Sequence, residues 1–535
     1  MRNVLSGNKL RVTGYHQTPS VRLPFKLRSL DAWTMGPNTD STSSVVPPVE
    51  NPREWSTRKK TRVTLILGSM VLSYTYLSTS FALSATSLQR RFNTGAEVIT
   101  LGLSLYVLGA GCFVISDSDN LATILVFRLL SSIAGASALN NVPASYSDMT
   151  TPPKYAPFFT CYGFSAFAGP ALGGLVGAFV NERAGWQWNL RHQAIFVAVV
   201  TVISILFVPE TDHPRLKRLH DAKYAARDVS DGTDDKAAVS RASRAGSAGR
   251  SLGHTISRSL KLPFQWLFTD RVVLVISIYT SLLYAIIYDF FVIIPFAFAS
   301  IRGFRPESIG LIYITLFLGF SIAACNYLFV QEAINRRIRK KTGKKMLPPE
   351  TSLIHAIYGC SLAPVGLFLF AWTVPFTHVH WIVPAIGIVL LCAGSMSAFT
   401  SLIPYLVAYG GPSAPSVLAA AGFCRSALAA ALPLFTRQMC QGITVQGATS
   451  LLGGLALLLT PLPLLLYIHG GKLREHVRQR KEAAAAAGAA SNASEGAASD
   501  KPIESNKEAA VGARIPPGGA VDHQVSRSTA DAAGQ

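Results

Sequence analysis

The sequence predicts an all-α protein that crosses a membrane many times and folds as two helical bundles. The chain has 535 residues, of which 49% are hydrophobic, and its mean hydropathy is +0.32. The apolar residues are gathered into long blocks with polar loops between them. About 20 consecutive apolar residues span a bilayer as a helix, which satisfies its own backbone hydrogen bonds inside the lipid.

Eleven apolar blocks approach the length of a membrane span, five before a long polar segment and six after it. The fifth block is short, but its helix is expected to start earlier, near Trp188. The blocks are 63–83, 98–115, 121–139, 158–180, 194–208, 272–298, 309–330, 353–374, 381–402, 414–435 and 450–468.

The polar segments divide the chain into five predicted regions. Both tails have the Ser-, Ala-, Gly- or Pro-rich composition of disordered segments, and the middle segment is basic. The regions are a cytoplasmic tail (1–56), an N-terminal bundle (57–208), a cytoplasmic linker (209–270), a C-terminal bundle (271–470) and a second cytoplasmic tail (471–535).

The net charge of +20 is distributed as in a membrane protein. Lys and Arg cluster in loops and tails beside the apolar blocks, as is typical of cytoplasmic faces, so nucleic acid is not a predicted partner. The segment 336–345 alone carries seven positive charges. The seven cysteines are scattered and form no CxxC pair, which predicts neither a disulfide framework nor a metal site.

The charge distribution also exposes an inconsistency in the first half of the chain. Five crossings would place the N-terminal tail and the middle linker on opposite sides of the membrane, yet both are basic. One helix is therefore absent or unrecognised. The suspect is block 98–115, which is interpreted either as a fusion of two spans or as a segment that enters the membrane without crossing it.

One stretch of small residues, GFSAFAGPALGG at 163–174, predicts a closely packed membrane helix. Gly169, Gly173 and Gly177 are four residues apart and share a face, which lets a second helix approach very closely. Pro170 removes a backbone donor and is expected to kink or weaken the helix. Such a helix suits a protein that changes shape across the bilayer, although packing alone also explains it.

Charged residues inside the blocks are functional candidates, because a charge within a bilayer is costly unless it is paired. Arg128 lies seven residues into its block, and a structural role beside Asn140 and Asn141 is the alternative. Asp289 is the only carboxylate well inside any block. An apolar environment disfavours its charged form, so it is a candidate for proton exchange near neutral pH, and a packing hydrogen bond is the alternative. For Arg425, snorkelling to lipid headgroups is as good an explanation as function.

Several motifs, taken together and in order, resemble the major facilitator superfamily, in its fungal drug:proton antiporter branch of twelve spans. The resemblance covers about residues 51–474. In the first half it is carried by NPREWSTRKK before the first span, LVFRLLSSIAG at 125–135, GFSAFAGPALGG at 163–174, GWQWN at 185–189 and VPET at 208–211; in the second half by HWIVPAIG at 380–387, YLVAYG at 405–410, CRSALAAALPLF at 424–435 and PLPLLLY at 461–467.

The resemblance implies roles for particular residues. It makes Arg128 the membrane-embedded arginine that tunes a nearby proton site, and it makes the Gly-rich segment an antiporter motif. It also places the first and sixth blocks around a substrate cavity. The antiporter-motif residues are Gly163, Gly169, Pro170, Gly173 and Gly174, and the cavity candidates are Tyr74, Tyr76, Tyr284, Tyr288 and Arg425.

The sequence departs from the family at one place. The Gly/Asp/Arg loop that the family carries between its second and third spans is absent, and the resemblance implies that about one span is missing near residues 111–112. This is the same region where the charge argument fails. The chain is therefore expected to show eleven spans where twelve are normal.

The predicted function is proton-coupled efflux of a small organic molecule, such as a drug, toxin or secondary metabolite, by alternating access. A polyamine or an organic acid is the alternative substrate, and a truncated or inactive membrane protein is the alternative function. No nucleophile elbow and no phosphate-binding loop appear, so neither catalysis nor ATP use is predicted. We expect a multi-pass monomer in the plasma membrane, with no cofactor and no metal.

Overall fold

The computed structural model describes residues 50–82, 121–151, 155–213, 252–343 and 347–471, together with a few single positions between and after these ranges. The described residues are helical and contain no strand. The helices are α1 (Thr57–Ala82), α2 (Leu121–Met149), α3 (Tyr155–Phe207), α4 (Leu252–Thr269), α5 (Arg271–Ser300), α6 (Pro306–Asn326), α7 (Glu332–Thr342), α8 (Leu353–Gly359), α9 (Leu362–Ala371), α10 (Ile382–Gly410), α11 (Ala414–Gly442) and α12 (Thr444–Leu459).

Local sequence fixes several of these helix ends. The Asp270 carboxylate accepts hydrogen bonds from the backbone N–H groups of Val272 (2.9 Å) and Val273 (3.3 Å), and so caps the start of α5. A proline, Pro306, occupies the first position of α6, where its missing N–H costs no helical bond. At the end of α7, Gly343 adopts a left-handed conformation (φ +65°) that a glycine tolerates best.

Eight described segments are long and apolar enough to cross a membrane. One of them, Tyr155–Phe207, has 53 residues and is broken at Gly185, whose φ of +83° interrupts the helix, so it supplies two crossings. The second crossing begins close to Trp188, as predicted. Every predicted apolar block coincides with a described helix except block 98–115, which lies outside the described residues together with the junction at 111–112.

The middle of the chain differs from the simple linker that the sequence predicted. The last part of segment 209–270 forms the helix α4, which ends just before α5 begins. The Phe264 ring of α4 packs against the Phe423 ring of α11, with 5.0 Å between ring centroids. The Ser- and Arg-rich centre of the linker and most of both predicted tails lie outside the described residues.

Helix α3 packs against both halves of the chain through its small residues. A Cβ atom at Gly169 would lie 2.6 Å from the Leu72 carbonyl oxygen of α1, and one at Gly177 would lie 3.0 Å from the Ser80 Cα. On another side, a Cβ at Gly174 would lie 2.7 Å from the Tyr313 ring of α6. A larger residue at these places would force helices apart, so the predicted close packing is confirmed. Helix α3 continues through Pro170, and its break is at Gly185.

The outer surface carries many exposed apolar side chains, as a surface facing lipid requires. Ile205 and Leu458 are each 75% exposed, and Phe329 is 73% exposed. Exposed apolar residues of this number on long helices would be unfavourable in water. The molecule is therefore a multi-pass membrane protein.

Candidate functional site

A cluster of aromatic rings lies where helices from both halves of the chain meet. The Phe167 ring of α3 lies 5.5 Å from the Tyr284 ring of α5, 5.1 Å from Phe320 of α6 and 5.0 Å from Phe399 of α10, measured between centroids. The Tyr162 ring of α3 stacks on Phe399 at 5.8 Å. We call these five residues the central ring cluster. All are buried, so the arrangement is closed to solvent.

A short line of hydroxyl groups extends from this cluster to the first helix. The Tyr284 hydroxyl lies 3.2 Å from the Tyr288 hydroxyl, one turn further along α5. The Tyr288 hydroxyl lies 3.2 Å from the Ser78 hydroxyl of α1. This polar contact links the first and second halves of the chain within a largely apolar interior.

Arg425 of α11 lies beside the central ring cluster. Its guanidinium carbon is 5.3 Å from the centroid of the Tyr284 ring and 5.2 Å from that of Phe399. Only 5% of the residue is exposed. Arg425 is eleven residues into α11, which is about 16 Å from the start of the helix. The Arg425 side chain therefore does not extend to the lipid headgroups but lies among aromatic rings inside the protein.

Asp289 of α5 is fully buried and bonds to α11. Its Oδ1 atom accepts a very short hydrogen bond from the Thr436 hydroxyl, while its Oδ2 atom has no hydrogen-bond partner. The same Thr436 hydroxyl also reaches the Leu432 carbonyl oxygen, at 2.9 Å. A hydroxyl group has one proton, so it fully satisfies one of these two acceptors at a time.

Arg128 lies elsewhere in the molecule. Its guanidinium carbon is 3.6 Å from the centroid of the Phe81 ring of α1, within a core that also includes Ile124 and Leu190. The structure therefore does not bring Arg128 into the central ring cluster. Asn141 is thirteen residues further along α2, about 20 Å away along the helix axis, so it is too distant to be a partner of Arg128. The side chain of Asn140 lies outside what the structure describes.

Tyr76, one of the two tyrosines predicted on α1, is part of a different contact. The Tyr76 hydroxyl lies 2.8 Å from His192 Nε2, and the Tyr76 ring packs edge-on against Phe196, both in the second part of α3. Tyr74 and Tyr76 share a buried apolar cluster with Leu77. Of the predicted cavity residues, the structure thus brings Tyr284, Tyr288 and Arg425 together and joins Tyr76 to another part of the first half.

Several residues of the site carried no signal in the sequence. Ser78 and Thr436 are single polar residues in apolar blocks, where most such hydroxyls bond to their own helix. Tyr162, Phe167 and Phe399 are aromatic residues among many others in the spans. A pattern of ring spacing along one helix does not find them, because the cluster takes its rings from four different helices.

The interface between α3 and the second half has a different feature at each end. At one end the Arg183 Nε atom donates a long hydrogen bond of 3.5 Å to Glu307 Oε1, between largely exposed side chains. At the other end a cavity of about 70 Å³ is bordered by residues that include Tyr155, Tyr327 and Pro404. That volume holds a few water molecules and no substrate of ordinary size. In the part of the chain that the structure describes, no cluster of three or more His, Cys, Asp or Glu side chains suits a metal ion.

Comparisons with known proteins agree with this architecture. The family model of the Major Facilitator Superfamily matches residues 61–433. The chain is 32% identical over 461 residues to "Efflux pump FUB11" of Gibberella moniliformis, covering 80% of this chain and 75% of the relative. It is 29% identical over 460 residues to "Probable drug/proton antiporter YHK8" of Saccharomyces cerevisiae, covering 80% of this chain and 87% of the relative.

A solved structure supports the fold. The proton:xylose symporter XylE, a protein of the same superfamily, aligns with a TM-score of 0.52 and 12% sequence identity. The alignment covers 77% of this chain and 96% of the symporter. At this identity the likeness bears on the fold alone.

Proposed function

Because this chain belongs to the major facilitator superfamily, we propose that it is a secondary active transporter that exports a small organic molecule in exchange for protons. A drug, toxin or secondary metabolite is the proposed substrate, and the plasma membrane is the proposed location of a monomeric carrier. The two halves of the chain would separate alternately on each side of the membrane and give the central ring cluster access to one side at a time.

The observation that carries the proposal is the environment of Asp289. A fully buried carboxyl group with one unpartnered oxygen is more stable protonated than charged while the site is closed. When the site opens to water, the charged form regains solvation and the proton can leave. Asp289 would therefore carry a proton through the closed state and release it on the side where the site opens.

Thr436 would adapt to both protonation states of Asp289. When Asp289 is charged, the Thr436 hydroxyl donates to it. When Asp289 is protonated, its own O–H donates to the Thr436 oxygen, and the Thr436 proton turns to the Leu432 carbonyl. Proton uptake would therefore leave the contact between α5 and α11 intact while it removes a charge from the interior.

The energetics suit this role. A proton that moves down a pH difference of one unit releases about 1.4 kcal/mol, which sustains about a tenfold concentration gradient of a substrate that is exchanged for it. Arg128 is proposed to influence the proton site only indirectly, since it lies beside Phe81 and not beside Asp289. The family's named exporters support the outward direction of transport.

The test compares two aspartates on the same helix. Asp289→Asn removes the proton site, whereas Asp270→Asn changes an aspartate at the helix start, where asparagine caps equally well. Each variant is expressed in a yeast strain that lacks its own efflux pumps, and the accumulation of a panel of fluorescent organic compounds is measured with and without a proton uncoupler.

We expect the wild-type chain and Asp270→Asn to lower the accumulation of at least one compound, and the uncoupler to abolish the effect. Asp289→Asn should no longer export that compound against its gradient. Export by Asp289→Asn that still responds to the uncoupler would contradict the role of Asp289. A wild-type chain that is inserted in the membrane but exports no compound of the panel would instead favour the alternative, a membrane protein that is not a working carrier.

A further inference from the structure

Arg425 is a buried cation without a carboxylate partner. Among the residues that the structure describes, no Asp or Glu forms an ion pair with it. Its neighbours are the rings of Tyr284 and Phe399 and the hydroxyl of Tyr162. That hydroxyl donates its own proton to the Leu139 carbonyl oxygen (2.9 Å), so it meets the guanidinium as an acceptor. Within the described part of the chain, the neighbours of this charge are thus neutral groups.

The acid on the same pair of helices, Asp289, forms no ion pair with Arg425. Asp289 bonds to Thr436, which is eleven residues beyond Arg425 on α11, or about 16 Å along the helix axis. Asp289 is also committed to that hydroxyl. The proton site and Arg425 are therefore two separate sites on one pair of helices.

An unpaired charge in this position is unfavourable unless something else compensates for it. Burying a charged group without a counter-ion costs several kcal/mol, and ring contacts with a cation return only part of that. Charged residues inside membrane spans therefore mark functional sites more often than structural ones. Arg425 is available to bind an anion that the protein itself does not supply.

The rings around Arg425 determine what else the anion must carry. Phe167, Phe399 and Tyr284 come from three different helices, and in the closed structure the Phe167 ring contacts each of the other two edge-on. When the halves of the chain separate, these ring faces lose their partners. A flat apolar body can then replace the ring contacts while a guanidinium binds its acidic group through two parallel hydrogen bonds.

We propose that Arg425 is the anion-binding group of the central site, and that the substrates are organic monoanions with a flat, largely aromatic body, such as aryl carboxylates. This inference rests on the proposed transport function and gives it a substrate class. Polycations are excluded as substrates of this site, because the positive charge of Arg425 would repel them at close range.

The charge of the substrate also changes the driving force. Export of a monoanion in exchange for protons moves one more positive charge inward per cycle than export of a neutral molecule with the same number of protons. Each charge that crosses the membrane gains about 2.3 kcal/mol per 100 mV. Export of the anion should therefore depend more steeply on membrane potential.

The binding experiment uses a matched pair of probes, 1-naphthoate and its neutral amide, 1-naphthamide. Their affinities are measured by calorimetry on purified protein in nanodiscs of zwitterionic lipid, without any gradient. The variants are Arg425→Met, which fills the ring-lined space without charge, and Arg425→Lys, which keeps the charge without the planar fork. Arg437→Met is the control, because it removes the same charge from an exposed position of the same helix.

We expect the wild-type protein and Arg437→Met to bind naphthoate roughly ten- to a hundredfold more tightly than naphthamide, the range of a hydrogen-bonded charge. Arg425→Met should bind both probes with similar affinity, and Arg425→Lys should keep part of the preference. Equal affinity of the wild-type protein for both probes would by itself overturn the proposal, whatever the variants show. A preference that persists in Arg425→Met would overturn it as well.

The two proposals fail in different experiments. Asp289→Asn should keep the preference for naphthoate, because Asp289 forms no ion pair with Arg425 and bonds to Thr436 instead. If naphthoate binds at Arg425 but is not exported, the proposed anion-binding site is supported and the proposed transport cycle is contradicted. If export of other compounds depends on the proton gradient but the protein binds naphthoate and naphthamide equally well, the proposed transport function stands and the proposed anion site is wrong.

Discussion

The Ser78 hydroxyl of the first membrane helix lies 3.2 Å from the Tyr288 hydroxyl of α5. Tyr288 is in turn linked to Tyr284, which lies against Arg425. In the proposed transport cycle the two helices that carry these hydroxyls would separate when the central site opens. The contact is a polar connection between the halves in this closed structure, and the proposed cycle would break it in an open state.

Ser78→Ala and Tyr288→Phe should each favour the open states by the value of one neutral hydrogen bond, about 1 kcal/mol, or about fivefold in the equilibrium. The double variant should differ little from either single variant, since both remove the same bond. The measurement is the fraction of molecules in which a spin or fluorescent label pair across the two halves shows the open separation. Additive effects of the two substitutions would show that the hydroxyls act independently.

A methyl group at Gly173 should destabilise the protein, because its Cβ would collide with the Tyr76 carbonyl group on the neighbouring helix. Overpacking of this kind costs about 1–3 kcal/mol. Gly454 of α12 is the matched position, since a Cβ there meets nothing within 4 Å. Thermal unfolding in detergent should therefore have a lower midpoint temperature for Gly173→Ala than for the wild-type protein. The midpoint temperature of Gly454→Ala should not be lowered. Equal midpoints would mean that α1 and α3 have room between them.

Arg302, just after the end of α5, holds its own loop against a second loop through hydrogen bonds to backbone carbonyl groups. Its guanidinium group donates to four backbone carbonyl oxygens of one loop at 2.9–3.1 Å, those of Thr373, Val374, Phe376 and Val379. A lysine at this position cannot reach all four, so Arg302→Lys should lower the free energy of unfolding by about 1–3 kcal/mol.

The exposed Arg305 provides the comparison for Arg302, because its side chain makes no capping hydrogen bond at the start of α6. Arg305→Lys should leave the unfolding midpoint unchanged. The two substitutions are chemically identical and only three residues apart. A similar loss in both variants would point to a general effect of charge at this end of the molecule and not to the four carbonyl bonds.

Asp148, at the end of α2 beyond the membrane-spanning part, should make stability depend on pH. The pKa of Asp148 is raised to about 6, mainly because the group is buried; the nearby charges of Asp212 and Glu210 also raise this pKa, and Arg53 lowers it. A raised pKa means that the charged form is unfavourable in the folded protein. The stability contribution of this group is therefore complete below about pH 4 and is lost as the pH rises through 6.

Asp148→Asn stays neutral at every pH, so it should be more stable than the wild-type protein at pH 7.5 and lose this advantage at pH 5. Thermal midpoints at the two pH values measure the difference. Glu182→Gln, which makes the matching change from acid to amide at an exposed position near the break in α3, serves as the control. A constant difference between Asp148→Asn and wild type at both pH values would refute the assignment.

The sequence by itself determined the class of fold and most of the membrane helices. Blocks of about 20 apolar residues are sufficient for that, because a bilayer leaves a helix as the only way to satisfy the backbone in one segment. The glycine spacing at 169, 173 and 177 likewise predicted a face that meets another helix closely, and Tyr76 and Ser80 of α1 lie against it. Both properties are local, since they depend on periodicity along one helix.

The tertiary structure alone decided which side chains meet. Arg128, Asp289 and Arg425 have the same appearance in the sequence, a charge within an apolar block, and nothing local separates them. In the structure Arg128 lies on Phe81, Asp289 bonds to Thr436, and Arg425 lies between Tyr284 and Phe399. Each partner comes from another helix, and the choice depends on the rotation and depth of both helices. Those are set by packing across the whole bundle and not by the residues next to each charge.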